Sequence, residues 1–240
     1  MTRRTENSFV LSSLIKEESA MKIGNIQKSY PKKTILKDIT FSAQEGQCIG
    51  ILGSNGSGKS TLLGILAGIL QADGGRFSYQ GCDLMKQHKE RSKLLGYVPQ
   101  SAPLLEELTG RDNLKLWYTQ QAMEQELSQG VLGMLGIPDF LDTPVHKMSG
   151  GMKKRLAIGC AVAHNPKILL LDEPSAALDL VCKTRISNYL EQFKRNGGII
   201  ILATHDLQEL PLCNQLYILK NGVLTPFEYD GNVNRLVGKL

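Results

Sequence analysis

Along this chain the apolar positions come in short runs whose spacing alternates between strand-like and helix-like. Segments 22–28 and 35–43 read as short β-strands, and Cys48-Ile49-Gly50-Ile51-Leu52, apolar throughout, reads as a buried strand. Leu62, Leu63, Ile65, Leu66, Ile69 and Leu70 then recur at helical spacing. Short strands return at 76–80 and 95–98, and helical patterns dominate from about 101 to 165, over 113–127, 129–135 and 151–163. After them come a strand at 168–172, a helix over roughly 181–195 and a strand at 199–203. Two closing strands, 215–220 and 223–228, flank Asn221-Gly222, a strong hairpin signal.

Strands that are apolar throughout and joined by helices belong to a parallel sheet covered on both faces. The fold class is therefore α/β, with the helical block of about 101–165 built onto the sheet as a subdomain. Absence of repeats and low-complexity tracts argues against a solenoid or a linker-joined array.

Composition narrows the class. With 240 residues, 42% of them hydrophobic, the chain can bury a full core in one domain. Its longest apolar stretches, 168–171 and 199–203, are strand-sized and too short to span a bilayer. A net charge of +5 is a mild excess that serves solubility, and the run Lys86-Gln87-His88-Lys89-Glu90-Arg91-Ser92-Lys93 carries both signs without interleaved aromatics. That run reads as a solvated face, and nucleic acid is not expected as a partner. Five cysteines, odd in number and without a C-x-x-C pair, fit a reducing cytosol. Residues 1–20 read as a leader or mobile extension, because Ser12-Ser13 and Lys16-Glu17-Glu18 break the apolar patch an export signal needs and Met21-Lys22-Ile23 resembles a second start.

The chemistry concentrates at glycine-rich positions. Gly53-Ser54-Asn55-Gly56-Ser57-Gly58-Lys59-Ser60-Thr61, between the apolar strand and the helix, fits G-x-x-x-x-G-K-[ST]. In such a loop the backbone wraps a phosphate chain, the lysine reaches its terminal phosphates and the hydroxyl binds magnesium. Asp172-Glu173 ends the strand at 168–172, where ligands gather beyond the carboxyl ends of a parallel sheet. Asp172 is suited to hold magnesium through its water shell while Ser60 ligates directly, and Glu173 to polarise an attacking water. Ser149-Gly150-Gly151 opens a helix and reads either as an ordinary N-cap or as an anion site. Lys153, Lys154 and Arg155, near that helix start, read as a solvated basic face. His88, His146 and His164 lack ligand-like spacing, and Trp117 and Tyr118 read as packing residues. A dinucleotide fingerprint is excluded, since Thr61 stands where the third glycine belongs.

Taken in order, Tyr30, the loop at 53–61, Gln100, Ser149-Gly150-Gly151-Met152, Leu170-Leu171-Asp172-Glu173-Pro174, Ser175-Ala176-Ala177-Leu178-Asp179 and His205 resemble the nucleotide-binding subunit of ABC transporters, over about residues 21–228. The resemblance implies a P-loop (RecA-like) core with a mixed, mainly parallel sheet, an antiparallel β subdomain and an inserted helical subdomain, all within an ATPase domain of residues 21–240. It implies that Tyr30 stacks on adenine and that Gly53, Ser54, Asn55, Gly56, Ser57, Gly58, Lys59, Ser60 and Thr61 bind the phosphates of ATP. Ser60, Gln100 and Asp172 would hold Mg2+. Glu173 would be the catalytic base, with Lys59, Gln100 and His205 completing the site, and Asp179 would lie at the subunit contact. Ser149, Gly150 and Gly151 would cap the ATP held by a second subunit. The usual signature begins with Leu and has Gln after the two glycines; here Met148 and Met152 stand instead. Met152-Lys153-Lys154-Arg155 resembles subunits paired with export-type permeases.

The expectation is a Mg-ATP-hydrolysing subunit at the inner face of the cell membrane, driving a separate integral membrane permease. Pro103, Leu104 and Leu105, just after Gln100, are candidate partner contacts. A soluble ABC-type ATPase is the alternative, but it would carry two cassettes or a long coiled-coil insertion. A GTPase would carry an Asn-Lys-x-Asp element, which this chain lacks.

Overall fold

A computed structural model describes residues 21–31, 33–176 and 178–240; the expected extension at 1–20 lies outside them. The chain runs β1 (Met21–Tyr30), β2 (Lys33–Ala43), β3 (Cys48–Leu52), α1 (Lys59–Ala67), β4 (Gly74–Tyr79), β5 (Cys82–Asp83), α2 (His88–Leu94) and β6 (Leu95–Val98). The helices α3 (Gly110–Lys115), α4 (Gln120–Gln129), α5 (Val131–Met134) and α6 (Gly150–Ala161) follow. Then come β7 (Ile168–Asp172), α7 (Leu180–Arg195), β8 (Ile199–Thr204), β9 (Gln215–Lys220), β10 (Val223–Phe227) and α8 (Val233–Lys239).

These strands form one sheet in the order β5-β4-β1-β2-β10-β9-β3-β8-β7-β6. From β9 to β6 every pairing is parallel, whereas β5, β4, β1 and β2 pair antiparallel. The sheet is thus mixed, and the antiparallel section joins the parallel one through a single residue pair, Val223 of β10 with Asp38 of β2.

Alternation along the buried strands divides the core. Leu169, Leu171, Ile200 and Leu202 meet Leu114, Leu132, Ile137, Leu156 and Ile158 of the helical block on one face. Ile168, Leu170, Ile199 and Ile201 point the other way, onto Leu62, Leu63, Ile65 and Leu66 of α1 and onto Ile23 and Phe77 of the antiparallel strands. Residues in β3, β7 and β8 are buried without exception, as continuous apolar runs demand. Each buried Leu or Ile among them contributes roughly 1.5–3 kcal/mol by leaving water.

The Asn221-Gly222 hairpin forms, with both residues at positive φ (53° and 77°), the combination a type I′ turn requires. Gln80 and Gly81 repeat those angles between β4 and β5. Glutamine is not the usual first residue of that turn, and this short hairpin was not visible as a sequence pattern.

The helix expected over 113–127 is instead two, α3 and α4. Thr119 starts α4 as its N-cap, its hydroxyl accepting from the backbone N–H of Ala122 at 3.3 Å, and a local capping bond wins over a continuous apolar stripe. The charged run at 86–93 is not wholly solvated either: α2 buries Arg91, whose Nη2 lies 2.7 Å from Nδ1 of His88. Tyr118 packs as expected, its hydroxyl donating to the carbonyl of Gly159 at 2.9 Å, but Trp117 beside it is exposed.

Candidate functional site

The carboxyl ends of four parallel strands build the site. In the sheet β3, β8, β7 and β6 are successive neighbours; the loop at 53–61 follows β3, His205 follows β8, Glu173 follows β7 and Gln100 lies just beyond β6. Residues far apart in sequence therefore leave the same edge of one sheet.

Gly58 caps α1 in left-handed backbone (φ 110°), with no side chain bonded to the helix start. Those first N–H groups remain free for an anion, and the helix dipole favours one. A methyl group at Gly56 would meet nothing within 4 Å, whereas one at Gly58 would come 2.9 Å from Cγ2 of Ile35. Lys59 is buried and folds over the loop, donating from Nζ to the carbonyl of Gly53 at 2.8 Å and of Ser54 at 3.3 Å. An open cavity of about 320 Å³ lies against these groups, lined by Tyr30, Asn55, Ser60, Thr61, Gln100 and Glu173 among others. Buried in the loop, Ser57 Oγ has no hydrogen-bond partner among the described residues. Free amides and a lysine around one cavity fit a phosphate chain.

Across that cavity Glu173 gathers the remaining groups. Nε2 of Gln100 donates to its Oε2 at 3.0 Å, and Nδ1 of His205 lies 3.1 Å from its Oε1. With a carboxylate as partner, Nδ1 is the donor of this contact. Lys59 Nζ stands 4.0 Å from the same Oε1. The backbone of Glu173 is left-handed (φ 49°), a conformation that costs about 1–3 kcal/mol for a residue with a side chain, and its N–H donates to the carbonyl of Ala203 at 2.9 Å.

Asp172, one residue earlier, is buried at the end of β7. Burial raises its carboxyl above the ordinary range, opposed by a hydrogen bond with Ser60 and by the charges of Lys59 and Lys154, while Glu173 adds to the rise. Among the described residues no group of three or more His, Cys, Asp or Glu is placed to hold a metal. The donors present, the Ser60 hydroxyl, the Asp172 carboxylate and the Gln100 amide oxygen, are hard oxygens in small number. They fit magnesium, which takes most of its ligands from phosphate and water.

Not every expected site residue joins this cluster. Tyr30, at the end of β1, brings a half-exposed ring to the cavity, with Lys28 Nζ 5.4 Å from the ring centroid. Ser149 caps α6, accepting from the N–H of Met152 at 3.2 Å, and Ser149 and Gly150 face solvent away from the cavity lining. Gly151 is buried where a Cβ would lie 2.6 Å from Sγ of Cys182 in α7, so only glycine fits beneath the exposed cap. Asp179 caps α7, and the N–H of Cys182, donating at 2.8 Å, holds its carboxyl below the usual value. His88, His146 and His164 take separate partners: Arg91, the carbonyl of Glu106 and the carbonyl of Leu95.

The expected basic face at 153–155 is corrected. Lys153 is partly exposed and pairs with Glu106 at 2.8 Å, but Lys154 and Arg155 are buried. Arg155 donates to the carbonyl of Leu135 at 2.7 Å and stacks 4.7 Å from the centre of the Phe140 ring, which ties α6 to the rest of the helical block. Lys154 donates to the carbonyls of Pro99 and Gln100 at 3.1 and 3.0 Å. Sequence reasoning missed both, since α6 is buried almost all round and has no polar face to expose them.

The family model described as ABC transporter matches residues 36–176, more than half of the chain, including the loop at 53–61, Gln100, Asp172 and Glu173 but neither Tyr30 nor His205. The chain belongs to the ABC transporter family. It is an ATP-binding subunit of that family, and membership makes it an ATPase. The chain is 30% identical to the lantibiotic transport ATP-binding protein SrtF of Streptococcus pyogenes, over 89% of this chain and 93% of that protein. It is 32% identical to the linearmycin resistance ATP-binding protein LnrL of Bacillus subtilis (strain 168), over 82% of this chain but only 65% of that longer protein. Nod factor export ATP-binding protein I of Sinorhizobium fredii is 32% identical over 86% of this chain and 62% of its own length. A cassette solved as a dimer in a post-hydrolysis state bound to ADP and Pi superposes with a TM-score of 0.78 at 25% identity, over 88% of this chain and all (100%) of that one. A nucleotide-free cassette from an ABC transporter also gives 0.78, over 91% of this chain and 94% of its own. No helix among the described residues is long and apolar enough to cross a membrane.

Proposed function

We propose that this ATPase binds Mg-ATP at the loop of residues 53–61, hydrolyses it with Glu173 as base, and drives a separate membrane permease, in export. One observation carries the reading: Lys59, Gln100 and His205, arriving from three different strand ends, converge on the Glu173 carboxylate beside the cavity.

The chemistry follows from that convergence. Lys59 and the free amides at the start of α1 bind the β and γ phosphates and orient the terminal group. Ser60, Asp172 and Gln100 would hold magnesium, which when bound supplies charge compensation at the phosphate oxygens. Glu173 accepts a proton from the attacking water, and its hydrogen bonds to Gln100 and His205 keep the carboxylate aimed. Tyr30, with its ring open at the cavity edge, receives the adenine by stacking.

Two subunits complete the site. Exposed Ser149 and Gly150, with Gly151 buried beneath them, form a helix start bare of bulky side chains, suited to cap the γ phosphate held by a second copy or a related cassette, with Asp179 at the contact between them. The permease contact is the surface around Pro103, Leu104 and Leu105. There the exposed side chains of Leu105, Leu108, Leu116 and Trp117 lie on the segments flanking α3, and Asn113 of α3 bonds back to Leu105 and Thr109. Export is favoured by relatives whose names refer to lantibiotic transport and Nod factor export.

Phosphate release by the purified chain with ATP, with and without magnesium, tests the reading. Magnesium-dependent turnover that vanishes in Glu173→Gln supports it. Turnover unaffected by that substitution overturns the assignment of the base.

A further inference from the structure

Lys154 is a buried ammonium to which the hydrolytic scheme gives no part. It sits in the first turns of α6, five residues after Ser149, and its Nζ donates at 3.1 Å to the carbonyl of Pro99 and at 3.0 Å to that of Gln100. Burial holds its ammonium below the ordinary lysine range, opposed by the charges of Asp172, Glu173 and Glu209. The side chain of Gln100 in turn donates to Oε2 of Glu173 at 3.0 Å. Two hydrogen bonds, joined through the covalent frame of Gln100, thus link the helix opened by Ser149-Gly150-Gly151 to the carboxylate of Glu173.

Two features make this more than packing. Segment 99–105 follows the edge strand β6 and has irregular backbone, and the carbonyls of Pro99 and Gln100 take their bonds from Lys154 rather than from a neighbouring strand. In addition, both hydrogen bonds come from a buried lysine, whose cationic form makes them stronger than bonds between neutral groups.

We propose that Lys154 is a positioning residue that straps α6 to the backbone of Gln100 and so couples placement of the Ser149-Gly150-Gly151 cap to the orientation of Glu173. The inference rests on the hydrolytic reading above. A change in the position of α6, as when its start engages a nucleotide on a second subunit, pulls on the Gln100 carbonyl and re-aims the amide that holds the base. The lysine is not among the residues that line the cavity, and it acts through Gln100.

The test is a double-mutant cycle with Lys154→Met, which keeps length and apolar stem but loses the ammonium, and Gln100→Ala. Lys154→Met is expected to lower kcat by about 10- to 100-fold while ATP affinity stays within about twofold. The double variant should be no slower than Gln100→Ala alone, because the two act along one path. Lys154→Arg, whose fork can reach both carbonyls, should recover most of the rate. If Lys154→Met does not fold, Lys154→Gln takes its place in the same cycle. Multiplicative losses in the double variant, or a kcat unchanged in the single one, overturn the strap while leaving the hydrolytic reading intact. A wild-type chain without magnesium-dependent turnover instead overturns that reading and the strap with it.

Discussion

Lys59 Nζ stands 4.0 Å from Oε1 of Glu173, and both side chains are almost entirely shielded from solvent. The lysine also holds the loop carbonyls of Gly53 and Ser54, so a single side chain links the glycine loop to the Glu173 carboxylate. Replacing it by alanine removes the charged hydrogen bonds to phosphate, each worth about 1.5–3 kcal/mol. Lys59→Ala is therefore expected to weaken ATP binding by at least tenfold, read by calorimetry. Affinity equal to that of the wild type would refute the phosphate role of Lys59.

Glu173→Gln preserves shape and still offers an acceptor to Gln100, but it removes the basic oxygen. Hydrolysis should fall by about 10² to 10⁴, while ATP remains bound and the dimer accumulates. Phosphate release and size-exclusion chromatography with ATP check both halves of that expectation.

Ser149→Arg places a long cation at the exposed start of α6. ATP binding by the monomer should be unaffected, since Ser149 does not line the cavity of the same chain. Closure of two subunits should be blocked. ATP-dependent dimers that persist in the Glu173→Gln background with Ser149→Arg added would refute capping by a second subunit.

Asp206, next to His205, gives a pH-dependent prediction. Burial alone would raise its carboxyl, but bonds from Lys183, the N–H of Gln208 and Ser175 outweigh burial and hold it below the ordinary 3.8. A depressed folded-state pKa adds stability that is present above the unfolded value and disappears as pH falls through the folded one. Lys183→Met should thus destabilise the chain near neutrality, with the difference from wild type shrinking below about pH 4. Denaturant midpoints measured from pH 7 to pH 3 test it, and a gap that widens toward acid would contradict the assignment.

Much of this architecture could be read from the sequence because its signals are local. The runs in β3, β7 and β8, the glycine loop and the Asn221-Gly222 turn each depend on a few adjacent residues. The break between α3 and α4 was obscured, because Leu114, Trp117 and Tyr118 continue the apolar spacing across it and only the capping of Thr119 separates the helices. Lys154 and Arg155 looked like surface charges for a different reason: their partners are backbone carbonyls at 99–100 and 135–136, which no side-chain pattern records. The fourfold meeting at Glu173 was legible only as a list of separate residues. Strand order is what turned it into a place.

The narrow seam between β10 and β2 carries a consequence for base recognition. Tyr30 belongs to the antiparallel section, whereas the phosphate loop belongs to the parallel one, and the two are stitched by Val223 with Asp38 and by the Lys37 N–H donating to the Gly222 carbonyl at 2.8 Å. A Cβ at Gly222 would press to 2.8 Å from the carbonyl oxygen of Ile35. On the proposed reading, a lesion at that weld would swing the aromatic shelf away from the base while leaving the glycine loop where it was, and the share of affinity owed to the base would suffer before the grip on triphosphate did.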